Sequence, residues 1–176
     1  MRSVVVYESL WGNTAAIARA IAEGIGAGAK ALPTSEATPA EVAEADLIVA
    51  GAPVLGFQLP TDKMRDNIRN SPGKAPAPPD LSSPSMRSWL ETVPEGKARF
   101  AAFETRIWWS LGGATKAIER AFEAKGYRKI AKRQRFIVTG AYGPLKEGEI
   151  ERARRWGAEL ARAIEAPPVG SSDRTT

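Results

Sequence analysis

The sequence predicts an α/β protein in which a doubly wound, five-stranded parallel sheet carries helices on both faces. Short apolar runs of strand length alternate along the chain with segments in which apolar residues recur at helical spacing. The chain has 176 residues, 43% hydrophobic and 26% charged, which suits one domain with a proper core. Because parallel strands need crossover connections, and right-handed crossovers cover both sides of a sheet, this alternation favours the doubly wound arrangement.

The first strand is predicted at residues 4–7, where three valines precede a tyrosine. A turn leads into a helix over residues 14–23, whose apolar side chains share one face. Gly24 and Gly26 are interpreted as the end of that helix, because glycine favours the left-handed cap. A short second strand is expected near residues 29–32.

The middle of the chain begins with a helix capped by Thr38, followed by a third strand over residues 47–50. Residues 51–60 are expected to form a loop, and residues 62–70 a helix. Residues 71–96 start with several prolines among glycine and serine, a composition that favours irregular backbone. We interpret this stretch as a surface excursion.

The fourth strand is predicted at residues 99–103, with a helix over residues 114–125 after it. An uninterrupted fifth strand is expected at residues 136–139, and the last helix over residues 149–165. Together these elements complete the five strands of the predicted sheet.

The composition excludes several classes of chemistry. The chain has no cysteine and no histidine, which removes thiol and imidazole nucleophiles, disulfides and Cys/His metal sites. No apolar run approaches the length of a spanning helix, and the amino terminus is too short in apolar residues for a signal peptide. We expect a cytoplasmic protein without a membrane span, with one domain over residues 1–166 and a disordered tail over residues 167–176.

The net charge is +5, and the carboxyl-terminal half is the basic one. Between Lys125 and Arg135 lie six basic residues and no acidic one, which could indicate a nucleic-acid surface. Only Tyr127 accompanies them, so a solvated helix end is favoured over nucleic-acid binding.

Ligands of such sheets bind beyond the carboxyl ends of the strands, where the winding reverses. The loop after the first strand, residues 8–14, holds small polar side chains and one glycine but no lysine. Backbone N–H groups, the positive end of the next helix and the side chains of Ser9, Asn13 and Thr14 could hold a phosphate there. A capping turn would use the same residues, and this loop alone does not separate the two interpretations.

Ser9-x-x-Gly12-Asn13-Thr14 after a valine-rich strand resembles the FMN phosphate loop of flavodoxins. Residues 51–56 and 104–114 follow the third and fourth strands, like the two loops that cover the faces of the flavin in that family. The resemblance spans residues 3–165, and the uninterrupted fifth strand resembles the short-chain kind. Trp11 and Leu10 depart from the family pattern, because hydroxyl residues are frequent at their positions.

The resemblance implies FMN as the cofactor, held without covalent attachment. Trp108 occupies the position of the aromatic ring that stacks on the flavin, and Leu55 the position that shields its other face. Metal ligands are not implied, and no catalytic residue is assigned. The candidate cofactor-binding residues are Ser9, Leu10, Trp11, Gly12, Asn13, Thr14, Pro53, Val54, Leu55, Gly56, Glu104, Thr105, Arg106, Trp108 and Gly112.

The function that the resemblance implies is single-electron transfer between redox partner proteins. Flavodoxins are typically acidic and this chain is basic, so the family's usual partners do not carry over. Two alternatives stay open: an FMN-dependent NAD(P)H:quinone-type reductase, and a module of this fold that has lost flavin binding. The basic surface would suit an anionic dinucleotide in the first of these.

Overall fold

The computed structural model describes residues 1–71 and 73–165. Its strands are β1 (Ser3–Tyr7), β2 (Ala29–Pro33), β3 (Leu47–Pro53), β4 (Arg99–Ile107), β5 (Arg128–Lys129) and β6 (Gln134–Val138). Its helices are α1 (Asn13–Ile25), α2 (Pro39–Ala43), α3 (Asp62–Asn70), α4 (Met86–Thr92), α5 (Thr115–Ala124) and α6 (Glu149–Glu165). The tail expected at residues 167–176 lies outside the described residues.

The strands form one parallel sheet in which β2, β1, β3 and β4 lie side by side, and both β5 and β6 pair with β4. In the register, Val5 lies between Ala31 of β2 and Val49 of β3. The chain passes from β1 to the edge at β2 and returns to β3 on the other side of β1, so the winding reverses between β1 and β3. The predicted fold class is confirmed.

Successive strand residues point to opposite sides of the sheet, so both faces carry apolar side chains, and helices cover both. Val4 and Ile48 pack in the core on the side of α2, α4 and α5. Val5 and Val49 pack on the other side, against α1 and α6. Within the described residues, no helix has the length and hydropathy needed to cross a membrane.

Helix α1 is longer than expected, and Gly24 does not end it. A Cβ atom on Gly24 would lie 1.9 Å from the carbonyl oxygen of Arg154, and one on Gly157 would lie 2.2 Å from that of Ile21. These glycines let α1 and α6 approach closely. The helix ends instead at Gly26, whose φ of 100° places it in the left-handed region.

The fifth strand is interrupted, contrary to the prediction from the sequence. Its first piece, β5, pairs with the beginning of β4, while β6 pairs with the second half of β4 from Phe103 onward. Residues 130–133 separate the two pieces. The basic residues expected at a helix end therefore lie mostly along this sheet edge, and Arg135 lies opposite Glu104 rather than at the amino ends of the strands.

Strands β3 and β4 extend beyond the predicted ends. Pro53 is the last residue of β3, and β4 continues to Ile107. Glu104, Thr105 and Arg106 were expected in a loop, but each pairs with β6 as part of β4. Because side chains alternate along a strand, neighbouring residues among these three point to opposite faces of the sheet.

The segment 71–96 is irregular only in its first part. Helix α4 lies in its second part, with the side chains of Met86 and Trp89 buried. The indole N–H of Trp89 donates to the carbonyl of Ala37 at 2.7 Å. The interpretation as a surface excursion is therefore wrong for this part, because α4 supplies core residues.

Candidate functional site

The loops after β1, β3 and β6 meet the end of β4 at the carboxyl edge of the sheet, next to the reversal between β1 and β3. They enclose a narrow cleft of about 50 Å³. The cleft is lined by Ser9, Leu10, Trp11, Asn13, Thr14, Pro53, Val54, Leu55, Thr105, Arg106, Ile107, Val138 and Ala141.

Most of the residues singled out in the sequence thus come together around one cleft. The others lie beside it: Gly12 precedes α1, Gly56 lies in the loop after β3, and Glu104 is buried inside the sheet layer. Trp108 and Gly112 belong to the loop of residues 108–114, which connects β4 to α5.

The loop after β1 turns sharply into α1. Gly12 has a φ of 92°, a left-handed conformation that side-chain-bearing residues rarely adopt. Its N–H donates to the hydroxyl of Ser9 at 3.1 Å. Within the described residues, no side chain accepts from the N–H groups of Asn13, Thr14 or Ala15, so these first amides of α1 are left for another acceptor. A helix amino terminus of this kind favours an anion.

The polar side chains at the start of α1 bind other parts of the protein. The amide of Asn13 donates to the carbonyl of Tyr142 at 3.1 Å. The hydroxyls of Thr14 and Thr105 are 2.7 Å apart and buried. Since two hydroxyls carry two protons and this contact uses one, the pair retains one O–H for a further acceptor.

Leu10 and Trp11 fix the phosphate-loop candidate to the segment that follows α3. Leu10 is buried, and its carbonyl accepts from the N–H of Asp80 at 2.8 Å. The indole of Trp11 donates to the carbonyl of Ala77 at 3.2 Å and meets the ring of Tyr142 edge to face, with centroids 4.8 Å apart. The two departures from the family pattern therefore serve as anchors of the loop.

A buried ion pair lies directly before this loop. Glu8 accepts from Arg65 of α3 at 2.5 Å and from the backbone N–H of Met86 at 2.9 Å. Burial raises the pKa of the Glu8 carboxyl, although both hydrogen bonds oppose that shift. The pair connects the end of β1 to α3 and α4, and so fixes where the loop begins.

Glu104 is fully buried and caps α5. One carboxylate oxygen accepts from the N–H groups of Ala114 at 2.7 Å and Thr115 at 3.0 Å. The other accepts from Arg106 at 3.0 Å and lies 3.6 Å from Arg135. Glu104 was predicted to bind the cofactor directly; the structure gives it hydrogen bonds that position the loop after β4.

Arg106 is the cationic side chain among the residues that line the cleft. It is 6% exposed, and besides Glu104 it donates to the carbonyl of Gly112 at 3.0 Å. The next residue, Gly113, donates its N–H to the carbonyl of Phe57 at 3.0 Å. These bonds join the loops after β3 and β4 at their bases.

Four large apolar side chains in the loops after β3 and β4, here called the rim, are exposed. Trp108 is 76% exposed, Trp109 57%, Leu111 74% and Phe57 53%. Phe57 also has a φ of 66°, which is strained for a residue with a bulky side chain. Large apolar side chains exposed to water are typical of a surface that a ligand or a partner covers.

These residues fit a flavin mononucleotide. Leu55, which lines the cleft, and the exposed aromatic side chains of the rim suit the two faces of a flat ring. The uncapped amides at the start of α1 suit the phosphate at the other end. The buried guanidinium of Arg106, which lines the cleft, adds positive charge to it.

The loop after β6 also contributes to the cleft, which was not predicted from the sequence. Val138 and Ala141 line the cleft, and Tyr142 contacts both Asn13 and Trp11. The rule that ligands bind beyond the carboxyl ends of the strands also applied to this loop. Its glycine-rich sequence offered no polar pattern that would have singled out individual residues.

The comparisons with known proteins agree with this geometry. The family model described as Flavodoxin matches residues 5–156. A flavodoxin from the domain Archaea superposes with a TM-score of 0.66 at 19% identity, covering 94% of this chain and 100% of that one. Flavodoxin 1 from Bacillus cereus gives 0.64 at 16% identity, covering 92% and 98%. Among curated proteins, none matches the chain.

Other proteins share the fold. The flavodiiron core of a Synechocystis protein gives a TM-score of 0.61 at 19% identity, covering 94% of this chain but 36% of that one. A WrbA-like protein from Agrobacterium tumefaciens gives 0.57 at 17% identity, covering 93% and 97%. At such low sequence identities, the similarity shows a shared fold and not a shared function, because one fold can serve several functions.

Proposed function

Since this chain belongs to the flavodoxin family, we propose that it binds FMN and transfers single electrons between redox partner proteins. The observation that carries the proposal is the arrangement at the carboxyl edge of the sheet. The first residues of α1, whose amides are uncapped, line the cleft, and the exposed aromatic rim belongs to the adjoining loops after β3 and β4. A ligand with an anionic end and a flat apolar end matches both.

The phosphate would bind at residues 9–14. The first amides of α1 donate to it, and the spare hydroxyl proton of the Thr14–Thr105 pair adds a further donor. Hydrogen bonds to a charged acceptor contribute roughly 1.5–3 kcal/mol each. Because no lysine or arginine belongs to this loop, neutral donors and the helix terminus carry the interaction.

The isoalloxazine ring would lie between Leu55 and Trp108, as the family resemblance implies. When bound, FMN supplies the redox chemistry, which this chain's own side chains lack. Leu55 and Trp108 exclude water from its faces, and stacking on an aromatic side chain contributes roughly 1–3 kcal/mol. Coverage of Trp108 by the ring would also explain why this side chain is exposed in the protein alone.

A second candidate function has its own supporting observation. The buried cation of Arg106 would stabilise negative charge on a reduced flavin, and this favours uptake of two electrons. That property suits an NAD(P)H:quinone-type reductase. Glu104 opposes it, because its carboxylate lies 3.0 Å from the guanidinium and neutralises part of the charge. We therefore keep the electron carrier as the proposal.

Steady-state kinetics of the FMN-loaded protein separate the two functions. We expect no catalytic oxidation of NADH or NADPH with a quinone acceptor, but complete reduction by dithionite and rapid reoxidation by an excess of a one-electron acceptor such as ferricyanide. Sustained NAD(P)H oxidation that is lost in Thr14→Ala at subsaturating FMN would overturn the carrier and favour the reductase. A protein that takes up no FMN would contradict both.

A further inference from the structure

A groove of about 870 Å³ lies along the sheet edge at the interruption of the fifth strand. It is distinct from the cleft, and it contains the residues that separate β5 from β6. Its lining residues are Glu119, Lys129, Ile130, Ala131, Lys132, Arg133, Gln134 and Arg135.

The groove is strongly basic, with four cationic side chains against one carboxylate. That carboxylate, Glu119, is nearly buried and lies 3.5 Å from Lys129 and 3.2 Å from Arg133. It therefore holds two of the cations on the groove wall. Lys132 is exposed and makes no ion pair within residues 1–71 and 73–165.

Backbone groups are available in the same place. The N–H of Arg128 donates to the carbonyl of Ala98, just before β4, at 3.1 Å, and that of Ile130 to the carbonyl of Phe100 in β4 at 3.0 Å. Since alternate residues of a parallel strand direct these groups to opposite sides, Lys129 presents its own to the open edge. Further along, Glu149 accepts from the N–H of Ile137 at 2.7 Å and closes the edge of β6.

One side chain of the groove also contacts a residue next to the cleft. Arg135 lines the groove and lies 3.6 Å from Glu104. The same carboxylate accepts from Arg106, which lines the cleft. A protein docked in the groove would therefore contact Arg135, and only the carboxylate of Glu104 separates Arg135 from Arg106 of the candidate flavin site.

We propose that this groove docks an extended acidic segment of a redox partner protein; the role of the partner rests on the proposed function. The segment's carboxylates pair with the four cations, and its backbone adds to the open edge at Lys129. Nucleic acid is less favoured, because the residues that line the groove include no aromatic side chain on which a base could stack.

The test is binding of a fluorescein-labelled octaglutamate peptide to the full chain, followed by fluorescence anisotropy at low salt. Lys129→Glu/Lys132→Glu is compared with Lys63→Glu/Lys74→Glu, which changes the net charge equally at exposed lysines outside the groove. We expect at least tenfold weaker binding in the groove variant and less than a twofold change in the control. Equal losses in both would overturn the proposal, since net charge would then suffice.

Two further arms complete the test. If the double variant folds poorly, Lys132→Glu alone should still weaken peptide binding by at least threefold relative to Lys63→Glu. Equal peptide affinities of these two single variants would contradict docking in the groove. A labelled DNA duplex that binds more tightly than the peptide, with the same dependence on Lys132, would also overturn it. Peptide binding is measured with and without FMN, so failure of flavin binding leaves this result readable.

Discussion

The two ends of the candidate flavin site differ in how much of their structure is already fixed. At the phosphate end, Thr14 and Thr105 share a buried hydrogen bond, and Leu10 is 3% exposed. At the ring end, Trp108 and Phe57 project into water. The first end is buried and hydrogen-bonded within the protein itself, whereas the second is exposed.

This difference indicates how the ends divide their tasks. Fixed donors lose little conformational freedom on binding, so the phosphate end is suited to supply affinity. The rim contributes through contact area and by removing water from the ring. Changes at the phosphate end should therefore affect binding most, and changes near the ring should mainly affect potential and fluorescence.

The largest effect is expected for Thr14→Ala. This variant removes a hydroxyl from the phosphate loop and breaks the pair with Thr105, so FMN affinity should fall roughly tenfold to a hundredfold, from roughly 1.5–3 kcal/mol for a bond to a charged group. Fluorescence titration measures the affinity. Thr34→Ala is the control, because its buried hydroxyl donates to Pro84, away from the cleft. Comparable losses in both variants would mean general destabilisation.

Asn13→Ala should lower the affinity for FMN by a smaller factor than Thr14→Ala does. Its side-chain amide donates to the carbonyl of Tyr142, so the variant loosens the loop after β6 without removing a hydroxyl from the cleft. About fivefold is expected, from about 1 kcal/mol for a neutral hydrogen bond. Unchanged FMN affinity in both Thr14→Ala and Asn13→Ala would contradict the assignment of residues 9–14 as the phosphate site.

The redox potential tests the region between the two ends. Arg106→Gln should lower the midpoint potential of the second electron by tens of millivolts, where about 59 mV corresponds to a tenfold change for one electron. Arg106→Glu is a poorer choice, because it would bury a second carboxylate beside Glu104. Arg155→Gln, at an exposed position of α6, is the control. An unchanged potential would show that Glu104 already neutralises the guanidinium.

Trp108→Ala should change fluorescence more than affinity. Flavin emission, quenched in the complex, should be partly restored, and affinity should fall about fivefold, near the lower limit for aromatic stacking of about 1 kcal/mol. Trp109→Ala is the matched control in the same loop. If Trp109→Ala restores emission and Trp108→Ala does not, the neighbouring indole covers the ring.

The smallest effect concerns stability and Glu8. Its folded-state pKa is raised above 4.5, so the folded protein binds more protons than the unfolded chain in the window above 4.5. Stability contributed by this group therefore falls as pH rises through that window. The free energy of unfolding by urea should increase from pH 7 towards pH 5 more in the wild type than in Glu8→Gln. Parallel pH profiles would contradict this.

Local patterns predicted most of the elements, but they missed α4 and β5 and did not show where long strands end. Apolar runs identified the centres of β3 and β4, whereas their extensions to Pro53 and Ile107 depend on pairing with neighbouring strands. The interruption of the fifth strand had no local signal either. Gly24 was misassigned because a glycine that admits a neighbouring helix and one that ends a helix look alike in sequence.

The candidate site was predicted as three loops, and the structure brings most of their residues to one cleft. What the sequence could not indicate is which side chains serve the ligand and which hold the loops. Glu104 is an example, since its caps on α5 and its bond to Arg106 depend on how β4 meets the helix. The anchoring of Trp11 by Ala77 and Tyr142 likewise joins segments far apart in the chain.

The most direct test of the central claim is a parallel titration of the purified protein with FMN and with riboflavin, which lacks the phosphate. We expect FMN to bind with strong quenching of its fluorescence and at least a hundredfold more tightly than riboflavin, because the start of α1 supplies the fixed donors. Equal affinities for the two flavins, or no quenching with FMN, would contradict the assignment of the cleft.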